Sequence, residues 1–213
     1  MNIASRSPII APAEPEPGAI AEMLDVRVTE TCDGDGFFAR IRHPRRDAWV
    51  DRVPFRFAFI DAPELAQPFG REAKAFLGEL VEGKNLNLIL IGKESTGYRP
   101  VDRYQRLLCM GFLTEEAQAG RVDYYLDGQS CSGLIKAARQ VTRNIELELI
   151  ANGLAWAIQQ YSFDLEDEYR AAQDDARRHR RGLWAEDRPE PPWTFKRKQR
   201  RQGAADQRQP SLF

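Results

Sequence analysis

The chain has 213 residues, of which 42% are hydrophobic and 30% are charged, and its mean hydropathy is −0.55. This composition is typical of one globular domain with polar extensions, and it excludes a chain that is disordered throughout. No apolar run is long enough to span a membrane, and the N-terminal segment lacks the basic start and apolar core of a secretory signal. We therefore expect a cytoplasmic protein that makes no membrane contact.

The few cysteines and histidines limit the kinds of catalytic and metal site that this chain can form. Cys32, Cys109 and Cys131 form no Cys-x-x-Cys pair, which argues against a disulfide scaffold and against a zinc finger. His43 and His179 are the only histidines, and the P-loop pattern is missing from the sequence. Catalysis by this chain must therefore depend on carboxylates and arginines, with or without a hard metal ion.

Charge is distributed unevenly, although the formal net charge is only −1. Residues 177–201 contain ten arginines and lysines against three acidic residues. A basic segment of this kind suits a polyanionic partner, because each bound phosphate releases condensed counterions. A tail that is simply solvated is the alternative, and the charge run alone favours it.

The first half of the chain predicts a Pro-rich flexible leader and then several β-strands. Residues 1–23 form the leader, since they cannot bury enough apolar surface to fold. Residues 24–42 predict a hairpin with Asp33-Gly34-Asp35-Gly36 at its tip, and residues 43–53 a polar loop. In the strand at residues 55–60, phenylalanine alternates with other residues, so Arg56 should face away from the phenylalanine stripe.

The second half predicts helices and the remaining strands. Apolar residues at helical spacing predict a helix over residues 69–81, and further strands are expected near residues 86–90 and 107–113. About five strands match a small barrel. Residues 114–140 fit no single period and are interpreted as an insertion, with a short helix at 133–139.

Two further helices and a tail complete the prediction. The helices are expected over residues 145–158 and 164–181, the second with acids early and arginines late. The folded domain is thus predicted to span residues 24–184, followed by a basic polar tail over residues 185–213. Trp193 in this tail is expected to fold back onto the domain, although stacking on a base is the alternative.

Four short fragments carry the candidate chemistry, and each has an ordinary structural interpretation. Asp33-Gly34-Asp35 is more often a hairpin turn than a metal site, and the segment from Asp61 to Glu64 could cap a helix. Arg56 could be a strand arginine that reaches solvent, and Arg106 a surface charge.

Taken together, the same fragments supply the parts of a phosphodiesterase. Two carboxylates at strand ends can hold a hard cation, while a third carboxylate acts as a base. Two arginines can bind the charge that develops on the phosphate oxygens. Hydrolysis of a phosphodiester needs this set of groups.

The sequence resembles the staphylococcal-nuclease-like (thermonuclease) family, whose chains carry D-G-D, R-x-x-x-x-D-[AT]-P-E, Q-P-[FY]-G-x-E-A, D-x-Y-G-R-x-L, G-L-A-[WY] and R-R-G-L-W. This chain has D-G-D at residues 33–35, R-F-A-F-I-D-A-P-E at 56–64 and Q-P-F-G-R-E-A at 67–73. D-R-Y-Q-R-L-L follows at 102–108, G-L-A-W at 153–156 and R-R-G-L-W at 180–184. The match keeps the family's order over residues 26–184. It implies an α+β fold, an OB-type five-stranded β-barrel packed with about three helices.

The resemblance also implies a role for each matched residue. It makes Asp35 and Asp61 ligands of Ca²⁺, with the Ala62 carbonyl as a further ligand. It assigns Glu64 to the attacking water. The resemblance further makes Arg56 and Arg106 the arginines that bind the phosphate in the transition state, and it places Arg103 and Tyr104 at the terminal phosphate side of the nucleotide.

Two departures from the family pattern bear on the site. Gly36 stands where the family usually has a hydroxyl residue, and Gln105 stands where it usually has the glycine before Arg106.

The resulting hypothesis is a Ca²⁺-dependent nuclease that hydrolyses DNA, with RNA as a further candidate substrate and with little sequence specificity. Its main alternative is a noncatalytic module on the same fold that binds nucleic acid or protein. An accessory protein of a mobile element is a third hypothesis. The presence of all the charged site residues favours the enzyme.

Overall fold

The computed structural model describes residues 19–43, 46–92, 99–117, 120–126, 129–135, 139–158 and 163–206. The strands are β1 Ala19–Thr31, β2 Gly36–Arg42, β3 Trp49–Phe57, β4 Ile60–Asp61, β5 Asn85–Ile91, β6 Leu107–Ala117, β7 Gly120–Leu126, β8 Gln129–Ile135, β9 Arg139–Asn144 and β10 Trp156–Ala157. The helices are α1 Gly70–Val81, α2 Ile145–Ala151, α3 Glu166–Arg178 and α4 Pro192–Asp206. Within the described ranges, no helix is long and apolar enough to cross a membrane.

Five strands close into a barrel. The main sheet has the order β3-β2-β1-β5-β6-β9, and a parallel pairing of β3 with β6 joins its two sides. Closure removes the unpaired edges that an open five-stranded sheet would expose. The predicted OB-type α+β fold is therefore confirmed. The described helices number four, against the three expected.

Alternation along the strands builds the barrel interior and sends Arg56 out of it. Phe37, Phe55 and Phe57 are fully buried, and the ring centroid of Phe37 lies 5.3 Å from those of both other rings. Because successive strand residues point to opposite faces, Arg56 between the two β3 phenylalanines points outward. The predicted phenylalanine stripe thus fixes the direction of the arginine.

Two glycines allow the C-terminal motifs to pack backbone against backbone. Gly153 and Gly182 both have positive φ, at 67° and 50°. A Cβ on Gly153 would lie 2.1 Å from the Arg181 carbonyl oxygen, and one on Gly182 would lie 2.2 Å from the Gly153 carbonyl oxygen. The contact between G-L-A-W and R-R-G-L-W therefore depends on these glycines.

Several predicted boundaries in the first half were wrong. Strand β1 begins at Ala19, inside the predicted leader, whose residues 1–18 lie outside the described part. Strand β3 begins at Trp49, where a loop was expected. Polarity misled the prediction there, because the β2–β3 ladder extends to Arg42 and Trp49 and its outer face is exposed.

The second half also differs from the prediction. The helix predicted over residues 145–158 ends at Ala151, and Trp156–Ala157 forms strand β10, which pairs with β4. The helix predicted at residues 133–139 is wrong, because strand β8 extends to Ile135 and pairs with β7. The described residues of the stretch 114–140 instead continue the sheet through β6 and β9, and β7 and β8 pair with each other as antiparallel strands.

The segment predicted as a polar tail contains helix α4, which lies against the domain. Pro192 occupies its first position, where a missing N–H costs nothing. The ring of Trp193 contacts that of Trp156, with 5.6 Å between the ring centroids. Trp193 therefore folds back onto the domain, as predicted. The described part of the C-terminal segment is therefore a folded element with a defined place.

Candidate active site

The centre of the site is an arginine held between two carboxylates. Arg56 Nη1 lies 2.6 Å from Asp35 Oδ1, and Arg56 Nη2 lies 2.8 Å from Asp61 Oδ1. Both aspartates are buried, and the Arg56 side chain is only 15% exposed. These contacts use two of the five N–H groups of the guanidinium.

Contacts between neighbouring segments fix the position of Asp35. Gly36 pairs with Arg56 across β2 and β3, so Asp35 enters the site directly before β2 begins. The Ala62 N–H donates to Asp35 Oδ2 at 2.9 Å, and the Asp35 N–H donates to Asp33 Oδ1 at 3.1 Å. The D-G-D turn is thus a hairpin turn and part of the site at once.

The electrostatics of the site favour an added cation. Burial raises the pKa of the Asp35 carboxyl above its ordinary value, and the charges of Asp33 and Asp61 raise it further, although Arg56 opposes them. Burial lowers the pKa of the Arg56 guanidinium, but Asp35 and Asp61 outweigh this effect and raise it. Further positive charge beside Asp35 would therefore stabilise its ionised form.

Glu64 is placed by a tight turn before helix α1. The Glu64 N–H donates to Gln67 Oε1 at 2.9 Å, and the Gln67 N–H donates to the Glu64 carbonyl oxygen at 2.7 Å. A Cβ on Gly70 would lie 2.0 Å from the Glu64 carbonyl oxygen, so only glycine fits there. The Q-P-F-G motif therefore holds the backbone of Glu64 close to the start of the helix.

A lysine from helix α4 reaches the same carboxylates. Lys196 Nζ lies 3.1 Å from Asp61 Oδ1 and 2.7 Å from Glu64 Oε1. Partial burial lowers the pKa of its ammonium, but Asp61 and Glu64 raise it above the ordinary value. Lys196 is therefore a charged part of the site.

Arg106 is held by a loop that supplies its own partner. Arg106 Nε and Nη2 each lie 2.8 Å from Asp102 Oδ2, while Asp102 Oδ1 accepts hydrogen bonds from the N–H groups of Tyr104 and Arg106. Partial burial raises the pKa of Asp102, but the bonds from Arg106 lower it below the ordinary value. Arg106 Nη1 lies 3.7 Å from where a Cβ on Gly36 would be, so it faces the site.

One cleft of about 550 Å³ joins these groups, and Arg56, Glu64, Tyr104, Arg106 and Lys196 line it. Tyr104 is 61% exposed, and the guanidinium of Arg103 lies 4.7 Å from its ring centroid. Arg103 itself lines an adjoining cleft. The structure thus brings the predicted carboxylates, Ala62 and both arginines together, with Tyr104 in the same cleft and Arg103 beside it.

The residues of this site fit a divalent cation. Asp35, Asp61 and Glu64 supply carboxylate oxygens here, and the Ala62 N–H donates to Asp35 Oδ2, which places the backbone of residue 62 beside them. The donors are oxygens, which Ca²⁺ prefers. Among the described residues no three acidic, cysteine or histidine side chains cluster as a metal site, so the remaining ligands would be backbone oxygens, water or substrate.

Three residues that shape the site, Gln67, Asp102 and Lys196, were not among the predicted site residues. Gln67 and Asp102 lie inside the family motifs. Their side chains can form hydrogen bonds, and this property could have indicated that they position the neighbouring site residues. Lys196 lies outside every motif, and only the charge of its segment pointed to it.

Comparison with known proteins places this geometry in a family. The family model described as staphylococcal nuclease homologue matches residues 54–186. The chain belongs to the staphylococcal nuclease family. The enzyme class is therefore that of a nuclease, a hydrolase of phosphodiester bonds.

Individual relatives agree with this assignment. An uncharacterized endonuclease of Haemophilus influenzae is 31% identical over 174 residues, which cover 82% of this chain and 74% of the relative. A micrococcal nuclease of Shigella flexneri is 30% identical over 182 residues, 84% of this chain and 90% of the relative. A probable staphylococcal-like nuclease of rice is 31% identical over 145 residues, 68% of this chain but only 33% of the relative.

Proposed function

We propose that the protein is a Ca²⁺-dependent nuclease that cleaves DNA, and RNA as a second substrate, with little sequence specificity. The observation that carries this proposal is that Glu64, Arg56 and Arg106 line one cleft, while the buried carboxylates of Asp35 and Asp61 both contact the Arg56 guanidinium. No base-reading pocket is needed for this chemistry, because the contacts proposed for Arg56 and Arg106 are to phosphate groups that every sequence shares.

In the proposed reaction the arginines bind the phosphate. Arg56 keeps three N–H groups beyond those that contact Asp35 and Asp61, and Arg106 turns Nη1 toward the site. Guanidinium groups fit phosphate oxygens with two parallel hydrogen bonds. Because each arginine is already held by carboxylates, it needs little reorganisation to meet charge that develops on the phosphorus oxygens.

Glu64 is the proposed general base. Its side chain is partly exposed to the cleft, so water can reach it. The carboxylate would take a proton from the attacking water while the water oxygen bonds to phosphorus and the bond to the leaving sugar oxygen breaks. The Lys196 ammonium lies 2.7 Å from Glu64 Oε1 and holds that carboxylate in position.

Asp35 and Asp61, with the Ala62 carbonyl, are the residues that would hold Ca²⁺. When bound, this ion supplies positive charge that polarises the phosphate. Arg103 and Tyr104 are the proposed contacts to the nucleotide beside the scissile phosphate, since both lie at the mouth of the cleft. The proposed substrate path therefore leads past this pair to Arg106.

The deciding experiment compares the wild-type protein with Glu64→Gln in cleavage of single- and double-stranded DNA and of RNA, with and without a calcium chelator. We expect calcium-dependent cleavage by the wild type and a loss of about 10²–10⁴-fold in the variant. Glu79→Gln is the matched control, because Glu79 is exposed on α1 and lines neither cleft.

Two results would count against the proposal. Cleavage that persists at full rate in the chelator would remove the role of Ca²⁺. Binding of DNA without cleavage above the Glu64→Gln background would favour a noncatalytic module.

A further inference from the structure

Helix α4 builds a second basic cleft beside the site. Arg103, Trp193, Lys196, Arg197, Arg200 and Arg201 line this cleft, which we call the α4 groove. Its volume is about 550 Å³, and acidic residues are missing from its described lining. The groove shares Lys196 and Arg200 with the site cleft, so the two form one continuous path. The residues matched by the family model end at residue 186, before α4 begins.

The residues of α4 in the groove form one stripe on the helix. Positions 193, 196, 197, 200 and 201 are spaced by three and four residues, which places them on the same face. Three contacts hold that face toward the site. Trp193 packs on Trp156, the Gln67 amide donates to the Glu190 carbonyl oxygen at 2.9 Å, and Lys196 pairs with Glu64.

Three cations of the groove, Arg197, Arg200 and Arg201, have no acidic partner among the described side chains, whereas Lys196 pairs with Asp61 and Glu64. Among the described residues, no carboxylate oxygen lies within 4 Å of Arg197, Arg200 or Arg201. Elsewhere on the described surface, Arg40 pairs with Asp51 at 3.2 Å and Arg180 with Asp187 at 3.0 Å. Unpaired charge concentrated along one groove is therefore available to a polyanion.

Exposed aromatic rings accompany these charges. Trp193 is 49% exposed in the groove, and Tyr104 is 61% exposed in the adjoining site cleft. A groove that combines phosphate-binding cations with exposed rings suits unpaired bases, because a base in a duplex is already stacked and cannot leave its neighbours without cost.

We propose that the α4 groove binds a single strand of nucleic acid beyond the scissile phosphate, with Arg197, Arg200 and Arg201 on its backbone and Trp193 against a base. The inference rests on the proposed nuclease function and adds the form of the substrate. A single strand continues from the site into the groove, so helix α4 adds affinity for unpaired strands.

The test measures binding in the Glu64→Gln background, where cleavage does not consume the oligonucleotide. Arg197→Gln with Arg201→Gln removes two cations from the groove. The matched control, Arg188→Gln with Lys198→Gln, removes two cations from exposed positions that line neither cleft. Each protein is titrated with a labelled single-stranded oligonucleotide and with a duplex over a range of salt, and each is checked by a thermal melt.

For the single strand, we expect the slope of log K, the binding constant, against log salt concentration to be smaller in magnitude by about 1.4 in the groove variant. This corresponds to about 0.7 for each lost phosphate contact. The control and the duplex should change little. Replacing the same two arginines by lysine should restore most of the slope, because the contact needs charge. This rescue also keeps the test valid if the glutamine variant melts early.

Several results would overturn the inference. These are an unchanged slope in the groove variant, equal changes in the groove and control variants, equal changes for single strand and duplex, or equally tight binding of polyglutamate. The failure of the proposed function looks different, because a wild-type protein that binds the single strand through the groove but cleaves nothing would contradict the nuclease and leave the groove intact.

Discussion

The two arginines of the site are held by different means. Arg56 projects from barrel strand β3 and contacts carboxylates that precede β2 and lie in β4, so its surroundings depend on the whole barrel. Arg106 follows a loop and contacts Asp102, four residues away in the same loop. The Arg56 side chain is 15% exposed and that of Arg106 is 25% exposed.

We call Arg56 with Asp35 and Asp61 the strand-borne half of the site, and Arg106 with Asp102 the loop-borne half. The two halves should differ in how well they tolerate substitutions. In the strand-borne half, any change leaves a buried charge without its partner, which is strongly destabilising. In the loop-borne half, hydrogen bonds within residues 102–106 make a local unit, and water can replace a lost contact. We therefore expect changes around Arg56 to abolish activity and changes around Arg106 to tune it.

The largest effect is expected for Arg56→Lys. Lysine keeps the charge but cannot reach Asp35 and Asp61 with separate N–H groups and still offer a planar fork to phosphate. We expect turnover to fall by about 10³-fold. Single-turnover cleavage of a short labelled DNA at saturating Ca²⁺ measures this, and thermal melts of the same samples report whether the fold is kept. Arg40→Lys, at an exposed position of β2, is the matched control.

A smaller defect is expected for Arg106→Lys. The loop keeps the bonds from Asp102 Oδ1 to the N–H groups of Tyr104 and Arg106, and an ammonium can still reach Asp102 or the phosphate. We expect a loss of about 10²-fold in the same assay, with no change in the melting temperature. Should Arg106→Lys equal or exceed Arg56→Lys, the contrast between a strand-borne and a loop-borne arginine would be wrong.

Lys196 connects the strand-borne half to helix α4, and it shares Asp61 Oδ1 with Arg56. A cation that binds Asp61 must compete with this ammonium. We therefore expect Lys196→Met to raise the affinity for Ca²⁺ by about tenfold, which corresponds to roughly 1.4 kcal/mol. Isothermal titration with Ca²⁺ measures the change without reference to catalysis. Lys198→Met, which loses its pairing with Glu190 instead, is the control, and equal affinities in the two variants would contradict the competition.

The sequence predicted the strand-borne half well because its signals are local and physical. The alternation around Phe55 and Phe57 sends Arg56 outward, and the turn glycines place Asp35 before a strand. These patterns follow from strand geometry, which a single sequence displays directly. That Arg56 and Asp35 lie close together was predicted only from the family resemblance. The spacing of residues along the chain does not show that β3 and the D-G-D turn are neighbours.

Helix α4 and Lys196 were harder to predict for a physical reason. A helix with many arginines and few apolar residues has little pattern of its own, and its position depends on the contact of Trp193 with Trp156, 37 positions earlier in the chain. Such docking is tertiary, so the sequence predicted the return of Trp193 to the domain but described the segment around it as a polar tail and not as a helix. The polar strand that begins at Trp49 was missed for a related reason, because its partner strand decides its structure.

The smallest effect is expected at Gln105, and it tests the local character of the loop-borne half. Gln105 has φ of 62°, a left-handed conformation that costs a residue with a Cβ roughly 1–2 kcal/mol and costs glycine almost nothing. Gln105→Gly relieves this strain but also raises the conformational entropy of the unfolded chain. We therefore expect the free energy of unfolding in urea to rise by less than about 1 kcal/mol. Gln105→Ala is the control, since it shortens the side chain and keeps the Cβ. If alanine stabilises as much as glycine, backbone strain is not the cause, and the glutamine side chain beyond its Cβ must itself be unfavourable in this loop.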